Sequence, residues 1–370
     1  MKSTQKKVLI LASAAGGGHL AIASALEQYL RTSSLPIKPV TFITTPKIVS
    51  PAYRLIGEHF IKLHHQQWQK SNNPKSAYLA HLFNTQLTLS KIVREIRLTR
   101  PDLIISTSGF ATFELRSALD YLNLKLPHLV VLADPFTIHH GWTTYKQANH
   151  YLVPTPEAKQ TLIYRHIPAN RISLTGLPLR LAFYQPLSQV SLVRKKLGLN
   201  PNKLTLFIGG SGEGHGQIYP LITSLLKLSN FSTHNQLIVV AGKNRSLLTR
   251  LKRLPLNAFG YTDQIPQLIA ASDFVVGKPG PNILFESLML NKPFIATSEP
   301  LCQELGNYRY ITRRHLGIVT HRPLRTLSVL KQIIKNPAML KSFQPGISRH
   351  RRKYLNTPQK TLKLIHSFLS

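Results

Sequence analysis

Acidic residues are scarce in this chain: 14 Asp and Glu residues stand against 47 Lys and Arg residues, which gives a formal net charge of +33 over 370 residues. The imbalance excludes an acidic protein and predicts attraction to polyanions, either nucleic acid or an anionic lipid surface. The basic residues are spread along the whole chain, so much of the charge can also be a general trait of the source proteome. Because carboxylates are so few, each one inside a motif carries more weight.

Cysteine and long apolar runs are also in short supply. Cys302 is the one cysteine, which excludes an intramolecular disulfide and fits a reducing compartment. No run reaches the roughly 18 apolar residues that a membrane-spanning helix needs, so a chain that meets a membrane is expected to lie on it. The basic pair Lys6-Lys7 and the apolar residues 8–15 look like a short signal peptide, but a first strand that feeds a glycine loop explains them better.

Two familiar phosphate-binding patterns are missing. The chain has glycine loops at 16–18 and 209–214, and neither fits G-x-G-x-x-G followed by an acid about 20 residues later, nor G-x-x-x-x-G-K-[ST]. A dinucleotide-dependent oxidoreductase and a P-loop ATPase are therefore disfavoured. Each loop can still bring backbone N–H groups close to a phosphate at a helix N-terminus, although a tight turn explains a single loop equally well.

Strand and helix patterns alternate along most of the chain. Apolar strands are predicted at 7–12, 102–106, 129–133, 204–208, 236–241, 274–276 and 293–296, with segments of helical length between them. This rhythm predicts an α/β fold of doubly wound parallel sheets. Because a strand leads into a glycine loop twice, about 190 residues apart, we expect two Rossmann-like domains. The predicted boundaries are 1–180, a linker at 181–203, 204–347, and a basic helical segment at 348–370 that can cross back to the N-terminal domain.

Two residues of the N-terminal half are candidates for catalysis. His19 ends the first glycine loop at a helix start, where it can act as a general base on an acceptor hydroxyl because the ordinary pKa of histidine is near neutral. Asp134 follows the strand at 129–133, at the strand end where ligands bind in open α/β sheets, and it can orient His19 or bind the acceptor hydroxyl. Helix capping, a turn or packing explains either residue taken alone.

The C-terminal half holds the most informative stretch. The loop 277–282 leads into a helix with Glu286 about one turn in, and Gln303, Glu304 and Asn307 follow. Such a loop can hold a diphosphate, the helix acid can reach a ribose hydroxyl pair, and Gln303 with Glu304 can hydrogen-bond a sugar. Helix capping by Glu286 is the competing explanation. A polyhydroxyl ligand would supply partners for the acids in or beside these segments, which are Asp134, Glu213, Asp263, Glu286 and Glu304.

Taken in order, these segments resemble a known family, the monogalactosyldiacylglycerol synthases and processive diacylglycerol glucosyltransferases, which are related to the peptidoglycan lipid I N-acetylglucosaminyltransferases. The resemblance covers nearly the whole chain. It is carried by Gly16-Gly17-Gly18-His19, by Asp134 with His139 and Trp142, by Val153-Pro154-Thr155 and Thr175-Gly176-Leu177-Pro178, by 209–216, by Gly242-Lys243-Asn244 and Gly260-Tyr261-Thr262, and by Lys278-Pro279-Gly280-Pro281 with Glu286 and Gln303-Glu304 with Asn307.

The resemblance implies a GT-B fold, in which two Rossmann-like domains face each other across a cleft. It implies an inverting hexosyl transfer from a UDP-sugar, with no cofactor and no tightly bound catalytic metal. His19 is the implied base, assisted by Asp134, and Glu286 the implied ribose ligand. Departures from the family pattern at Lys243, Asn282, Ile283 and Cys302 leave the donor sugar open. The implied donor-binding residues are Gly210, Ser211, Gly212, Glu213, Gly242, Asn244, Gly260, Tyr261, Lys278, Gly280, Pro281, Glu286, Gln303 and Glu304.

The acceptor side is predicted at 50–100, where large aromatic residues alternate with basic ones. This mixture suits insertion at a lipid interface, although a pair of packed helices with solvated faces explains it too. Together with the resemblance it implies a diacylglycerol or other lipid acceptor and peripheral binding to an anionic membrane at the cytoplasmic face. The implied acceptor and membrane residues are Gly17, Gly18, Tyr53, Phe60, Trp68, His139 and Trp142.

Three alternatives stay open at this point. The acceptor can be a polyprenyl-linked cell-wall intermediate with UDP-N-acetylglucosamine as donor, although the residues 212–214 favour the diacylglycerol branch. A nucleic-acid-binding protein would explain the charge, but no recognisable nucleic-acid module is present, so nucleic acid is not an expected partner. A non-catalytic lipid-binding relative would explain Ile283, but the chain retains His19, Asp134, Glu286 and Gln303.

Overall fold

A computed structural model describes residues 5–14, 17–45, 61–185, 190–209 and 218–370, apart from the side chains of 61–64. The chain divides into two compact units. The first consists of Met1–Leu181, Leu301–Gln303 and Asn356–Ser370, and the second of Ala182–Pro300 and Glu304–Leu355.

Six strands among the described residues of the first unit form one parallel sheet, in the order β2-β1-β3-β4-β5-β6. The apolar residues 8–12 of β1 are fully buried, as expected for a parallel sheet that is covered on both faces. The strands are β1 (Lys6–Ala12), β2 (Ile37–Ile43), β3 (Leu103–Ser106), β4 (His128–Val131), β5 (His150–Val153) and β6 (Ile172–Leu174).

Helices connect these strands. The longest described helix of the first unit, α3, has a polar side chain at its start: Asn73 accepts a hydrogen bond from the backbone N–H of Ser76, and proline at the first helical position suits a helix start. Its residues Ile92 and Ile96 pack with Leu9 and Ile104 of the sheet in one apolar core. The helices are α1 (Gly17–Arg31), α2 (Ile61–Ser71), α3 (Pro74–Thr99), α4 (Thr112–Tyr121) and α5 (Pro156–Tyr164).

The second unit contains another parallel sheet, with six strands within the described ranges, in the order β12-β11-β10-β7-β8-β9. Its core includes Leu206, Val239 and Val276 from the sheet, with Ile222 and Leu330 from two helices. The strands are β7 (Leu204–Gly209), β8 (Asn235–Val240), β9 (Asn257–Phe259), β10 (Phe274–Gly277), β11 (Phe294–Ala296) and β12 (Gly317–Val319). The helices are α6 (Val190–Lys196), α7 (Ile218–Leu226), α8 (Phe231–His234), α9 (Arg245–Leu251), α10 (Ile265–Ala270), α11 (Pro281–Met289), α12 (Leu305–Arg313), α13 (Pro323–Lys335) and α14 (Gln344–Tyr354).

The prediction of parallel, doubly wound sheets is confirmed. Each of the seven predicted strands is present, with ends displaced by at most two residues. The sequence patterns missed β2, β5, β6, β9 and β12. Four of these, β2, β6, β9 and β12, lie at sheet edges, where one side is less buried and the apolar run is therefore shorter or interrupted, as by Lys38 and Pro39 in β2.

The chain crosses between the units after Leu181, Pro300, Gln303 and Leu355. The predicted linker at 181–203 contains α6, whose Arg194 forms an ion pair of 3.2 Å with Asp273 and is grouped with the second unit. The basic residues 349–353 lie in α14 of the second unit, and a final helix, α15 (Thr357–His366), is grouped with the first. There the imidazole of His366 is 2.7 Å from the Ser33 hydroxyl. None of the helices in the described ranges is long and apolar enough to cross a membrane.

Candidate functional site

His19 lies in the first turn of α1, at the carboxyl edge of the first sheet. Its Nδ1 is 2.7 Å from the backbone oxygen of Thr107, the residue that follows β3. A carbonyl oxygen only accepts hydrogen bonds, so Nδ1 carries the hydrogen and Nε2 of the neutral ring carries the lone pair. The Thr107 hydroxyl in turn donates to the backbone oxygen of His19 at 3.2 Å. The ring is thereby held in the tautomer that a general base needs.

Trp142 connects His19 with Asp134. The indole Nε1 donates to Asp134 Oδ2 at 2.7 Å, and the centroids of the indole and the His19 imidazole are 6.0 Å apart. Two of the sequence-predicted residues therefore share Trp142 as a neighbour. Asp134 was predicted to orient His19 or to bind the acceptor hydroxyl, and the hydrogen bond at His19 Nδ1 goes to the backbone oxygen of Thr107, a residue the sequence analysis did not single out. The catalytic role of Asp134 stays a prediction.

The neighbouring His139 is held by the backbone and by α2. Its Nδ1 accepts from the N–H of Gly141 at 3.0 Å, so Nε2 bears the hydrogen and faces the Ser71 hydroxyl at 3.2 Å. Burial lowers the pKa of His139 to about 4, with smaller contributions from the charges of His140, Arg165 and His81. The Trp68 ring meets His139 edge-on, with centroids 5.8 Å apart. His139 is therefore neutral near pH 7 and has a structural place beside Trp68.

Two further residues fix this loop and were not identified as functional from the sequence. The Arg165 guanidinium donates to the backbone oxygens of Ile138 and His139 at 2.7 and 3.0 Å. Thr155 caps α5 by accepting from the Ala158 N–H, and its hydroxyl also donates to the backbone oxygen of Pro135, next to Asp134. The segment 153–155 thus holds the loop after β4 through the hydrogen bond from Thr155 to Pro135.

Glycines at two helix starts face open space. A Cβ atom added at Gly17, Gly18 or Gly280 would meet no described atom within 4 Å. Packing among the described residues therefore does not require glycine at these positions. Close approach of a ligand to the backbone N–H groups would require it, because a side chain would stand in the way. Gly17 and Gly18 begin α1, and Gly280 is the N-cap residue of α11.

The second sheet has a close backbone contact at its carboxyl edge. Gly277 ends β10 opposite Gly209 of β7, and a Cβ atom on Gly277 would lie 2.1 Å from the Gly209 oxygen. Only glycine fits there. The predicted donor residues Gly210, Ser211, Gly212 and Glu213 follow directly but lie outside the described residues.

The loop after β10 is fixed by two polar contacts within the second unit. Lys278 Nζ is 2.9 Å from Glu304 Oε1, and the Asn307 amide donates to the backbone oxygen of Pro279 at 2.8 Å. Glu286 lies buried on α11, which Pro281 begins. Lys278, Gly280, Pro281, Glu286 and Glu304 are therefore gathered around the start of α11 and α12. Gln303, in the short 3-10 helix Cys302–Glu304, is grouped with the first unit.

The predicted residues after β8 have structural roles of their own. Gly242 has a left-handed backbone, with φ at 57°, and the Asn244 side chain caps α9 by accepting from the Leu247 N–H at 2.9 Å. A Cβ atom on Gly260 would approach a Leu248 methyl carbon at 3.2 Å. Tyr261 is 68% exposed, and the Lys243 ammonium lies 5.7 Å from the centre of its ring. Their roles toward a donor stay predictions.

The remaining predicted residues divide between described and undescribed parts. Tyr53 and Phe60, predicted to contact a membrane, lie outside the described residues. Within the described ranges, no group of three or more His, Cys, Asp or Glu side chains could hold a metal ion. Whether catalysis needs a metal stays a prediction.

Comparisons with known proteins agree with this arrangement. The family model for monogalactosyldiacylglycerol synthase matches residues 19–179. A probable chloroplastic monogalactosyldiacylglycerol synthase of Nicotiana tabacum is 26% identical, and the match covers 88% of this chain and 64% of that protein. A processive diacylglycerol beta-glucosyltransferase of Staphylococcus haemolyticus is 24% identical, with 93% of this chain and 88% of that protein covered. The chain thus spans slightly less than two thirds of the tobacco protein's length.

Solved structures show the fold. The Anabaena protein HepE in complex with UDP-glucose has a TM-score of 0.59 at 17% identity, over 98% of this chain and 99% of that one. The glycosyltransferase SnogD from Streptomyces nogalater has a TM-score of 0.62 at 15% identity, over 99% of this chain and 100% of that one. These matches confirm the resemblance predicted from the motifs: the chain has the GT-B fold and is similar in sequence to monogalactosyldiacylglycerol synthases and processive diacylglycerol glucosyltransferases.

Proposed function

We propose that this protein is an inverting hexosyltransferase that moves a hexose from a UDP-sugar to diacylglycerol at a membrane surface. The observation that carries the proposal is the His19 imidazole: its Nδ1–H is bound by the Thr107 carbonyl, so the basic Nε2 is available in the neutral ring. Support comes from the names of the relatives, which are diacylglycerol and galactolipid glycosyltransferases, and from the GT-B fold.

The proposed reaction is a single displacement. Nε2 of His19 takes the proton of the acceptor hydroxyl as its oxygen attacks the anomeric carbon of the sugar. The bond from that carbon to the β-phosphate oxygen breaks, UDP leaves with the electron pair, and the configuration inverts. Asp134, hydrogen-bonded to the Trp142 indole at 2.7 Å, holds the aromatic wall next to the imidazole and adds negative charge that favours the imidazolium formed during transfer.

The donor is proposed to bind at the start of α11. The helix N-terminus carries partial positive charge and unpaired N–H groups that suit a diphosphate, and the open space beside Gly280 leaves room for it. The buried carboxylate of Glu286 is proposed to bind the ribose hydroxyls. Lys278 compensates the Glu304 carboxylate at 2.9 Å, whose oxygens can accept hydrogen bonds from a sugar.

We propose that an apolar patch on the first unit contacts the membrane. The patch consists of side chains that point outward from α3 and from the adjoining short helix Gly109–Ala111, with exposed fractions from 38% to 65%: Tyr78, Leu79, Leu82, Phe83, Leu87 and Phe110. The exposed cations Lys75, Lys91 and Arg94 flank it on the same helix. Apolar side chains bordered by cations suit an anionic bilayer surface, which we propose is at the cytoplasmic face.

The test incubates purified protein with UDP-glucose, UDP-galactose or UDP-N-acetylglucosamine and with vesicles of diacylglycerol and anionic lipid, and identifies any glycolipid by mass. A hexosyl diacylglycerol in the wild-type reaction, absent with His19→Ala, is the expected result. A product formed only on a polyprenyl phosphate acceptor would replace the diacylglycerol proposal by the cell-wall alternative. No transfer from any of the three donors to either acceptor would overturn the proposal.

A further inference from the structure

Two titratable side chains are fully buried in the first unit and have no part in the proposed chemistry. His81 on α3 and Glu114 on α4 are both 0% exposed. His81 Nδ1 lies 3.0 Å from Glu114 Oε1, and Nε2 lies 3.1 Å from the backbone oxygen of Gly141. The Asn84 amide also donates to Glu114 Oε1 at 2.8 Å. Burying such a pair costs desolvation free energy that apolar side chains of similar size would not cost. The pair is therefore expected to have a role other than packing.

The hydrogen-bond roles follow from chemistry. The Gly141 carbonyl only accepts, so Nε2 of His81 carries a hydrogen. Nδ1 faces a carboxyl group, so that either an imidazolium meets a carboxylate or a neutral imidazole meets a carboxylic acid. The pair is electrically neutral in both states, which permits its burial. The shared proton therefore keeps the Nε2–H directed at Gly141 in either state.

Gly141 is the middle residue of the short 3-10 helix His140–Trp142, and its surroundings leave little freedom. A Cβ atom on Gly141 would lie 3.2 Å from His139 Nδ1 and 3.7 Å from His81 Nε2. On the other side, a Cβ atom on Gly109 would lie 3.1 Å from the Trp142 nitrogen. The backbone at Gly141 and Trp142 is thus in contact with His81 and His139 and lies close to Gly109.

We infer that the buried His81–Glu114 pair is a positioning element of the acceptor site: through the Gly141 carbonyl it fixes the backbone of Trp142, and through Trp142 the placement of Asp134 and His19. This inference rests on the proposed function for its catalytic consequence. The geometric part, that His81 sets the position of Trp142, stands on the described contacts alone.

Histidine has two amide isosteres that separate its two hydrogen bonds. The Asn amide nitrogen is three bonds from Cα, like Nδ1, and the Gln amide nitrogen is four bonds away, like Nε2. His81→Gln therefore keeps a donor for Gly141 and loses the Glu114 contact, whereas His81→Asn keeps the Glu114 contact and loses Gly141. We expect His81→Asn to lower kcat about tenfold to a hundredfold with the KM for the UDP-sugar unchanged, and His81→Gln to stay within about threefold of wild type.

A second readout does not need turnover. Trp68 and Trp142 are the two tryptophans of the chain, so the Trp68→Phe background leaves Trp142 as the only indole fluorophore. There, His81→Asn is expected to shift Trp142 emission and His81→Gln to leave it unchanged. If His81→Asn does not fold, the double variant His81→Met/Glu114→Gln replaces it in both measurements. It removes the donor to the Gly141 oxygen together with the buried carboxylate, and it is expected to lower kcat and shift Trp142 emission.

His128→Asn is the matched control. His128 is also buried in the first unit, and its imidazole is 2.9 Å from the Ser106 hydroxyl, but it has no part in the contacts that carry the inference. We expect it to lose stability and keep kcat. Equal kcat losses in His81→Asn and His81→Gln would overturn the inference. A kcat loss in His128→Asn as large as that in His81→Asn would also overturn it, because the loss would then follow stability alone. Unchanged Trp142 emission in His81→Asn would overturn it as well. Failure of the wild-type enzyme to transfer sugar would refute the proposed function instead, and the emission measurements would still decide whether His81 positions Trp142.

Discussion

The ammonium group of Lys278 and the carboxylate of Glu304 are 2.9 Å apart. The Glu304 side chain is 8% exposed, so Lys278 compensates a negative charge that water reaches poorly. Lys278 follows β10, and Glu304 precedes α12. One ion pair therefore joins the two segments at the start of α11, where we propose that the donor binds.

Replacing Lys278 with Met is expected to destabilise the protein by about 3 kcal/mol, because it removes the cation that compensates the buried Glu304 carboxylate. Urea unfolding measures the loss. The double variant Lys278→Met/Glu304→Gln is expected to recover most of the stability. Its affinity for the UDP-sugar is expected to stay as low as that of the single variant, because both lack the ammonium group. A single variant as stable as wild type would show that the pair contributes nothing.

His19→Ala is expected to reduce transfer by about 10²-fold to 10⁴-fold, the usual contribution of a general base, while UDP affinity measured by calorimetry stays unchanged. Its partner Thr107 contacts the ring through a backbone oxygen, so the alanine variant leaves that loop chemically intact. Wild-type turnover in His19→Ala would remove His19 from the reaction.

Trp142→Phe removes the indole N–H that donates to Asp134 and retains an aromatic ring beside His19. Losing a hydrogen bond to a charged group is expected to cost about 1.5–3 kcal/mol in unfolding free energy and to lower kcat. Phe is the smaller ring, so Asp134→Asn serves as the comparison: it retains an oxygen acceptor for the indole. Equal kcat in Trp142→Phe and wild type would separate Trp142 from catalysis.

Vesicle binding is expected to weaken with added salt and to strengthen with the fraction of anionic lipid, because the screening length falls to about 3 Å at 1 M salt. Phe83→Ser, in the apolar patch, is expected to reduce vesicle binding in a flotation assay. Tyr164→Ser is the control, since Tyr164 is 83% exposed in the same unit but outside the patch. If both variants bind vesicles equally, the patch is not the contact surface.

Acid is expected to destabilise the first unit through His128. Burial lowers the pKa of His128 to about 3, whereas an unfolded histidine has a pKa of about 6.5. Between these two pKa values the unfolded state binds a proton at His128 and the folded state does not. The contribution of His128 to the free energy of unfolding is therefore complete above about pH 6.5 and is lost as the pH falls toward 3. Between pH 6.5 and 5, His128 alone contributes a loss of about 2 kcal/mol. Urea unfolding of His128→Asn should show a decline smaller by that amount, and an identical decline would contradict the assignment.

Sequence patterns revealed the sheets because parallel strands buried on both faces are continuous apolar runs, such as the LTLFIG of β7. They also identified His19, Asp134 and Trp142, which the fold brings together. They did not reveal Thr107, because its contribution to His19 is a backbone oxygen that any residue would carry. The His81–Glu114 pair spans 33 positions on two helices, and only the packing of α3 on α4 makes the two side chains neighbours.

The return of the last fifteen residues to the first unit has a practical consequence for engineering. The chain leaves that unit at Leu181, returns to it for Leu301–Gln303 and re-enters it at Asn356, and in this last segment the His366 imidazole lies 2.7 Å from the Ser33 hydroxyl. A gene fragment that stops at Leu181 would therefore yield an incomplete module whose surface under α15 is uncovered. Chimaeras that exchange the second unit between relatives need a junction on each side of it, with the native C-terminal segment restored after the graft.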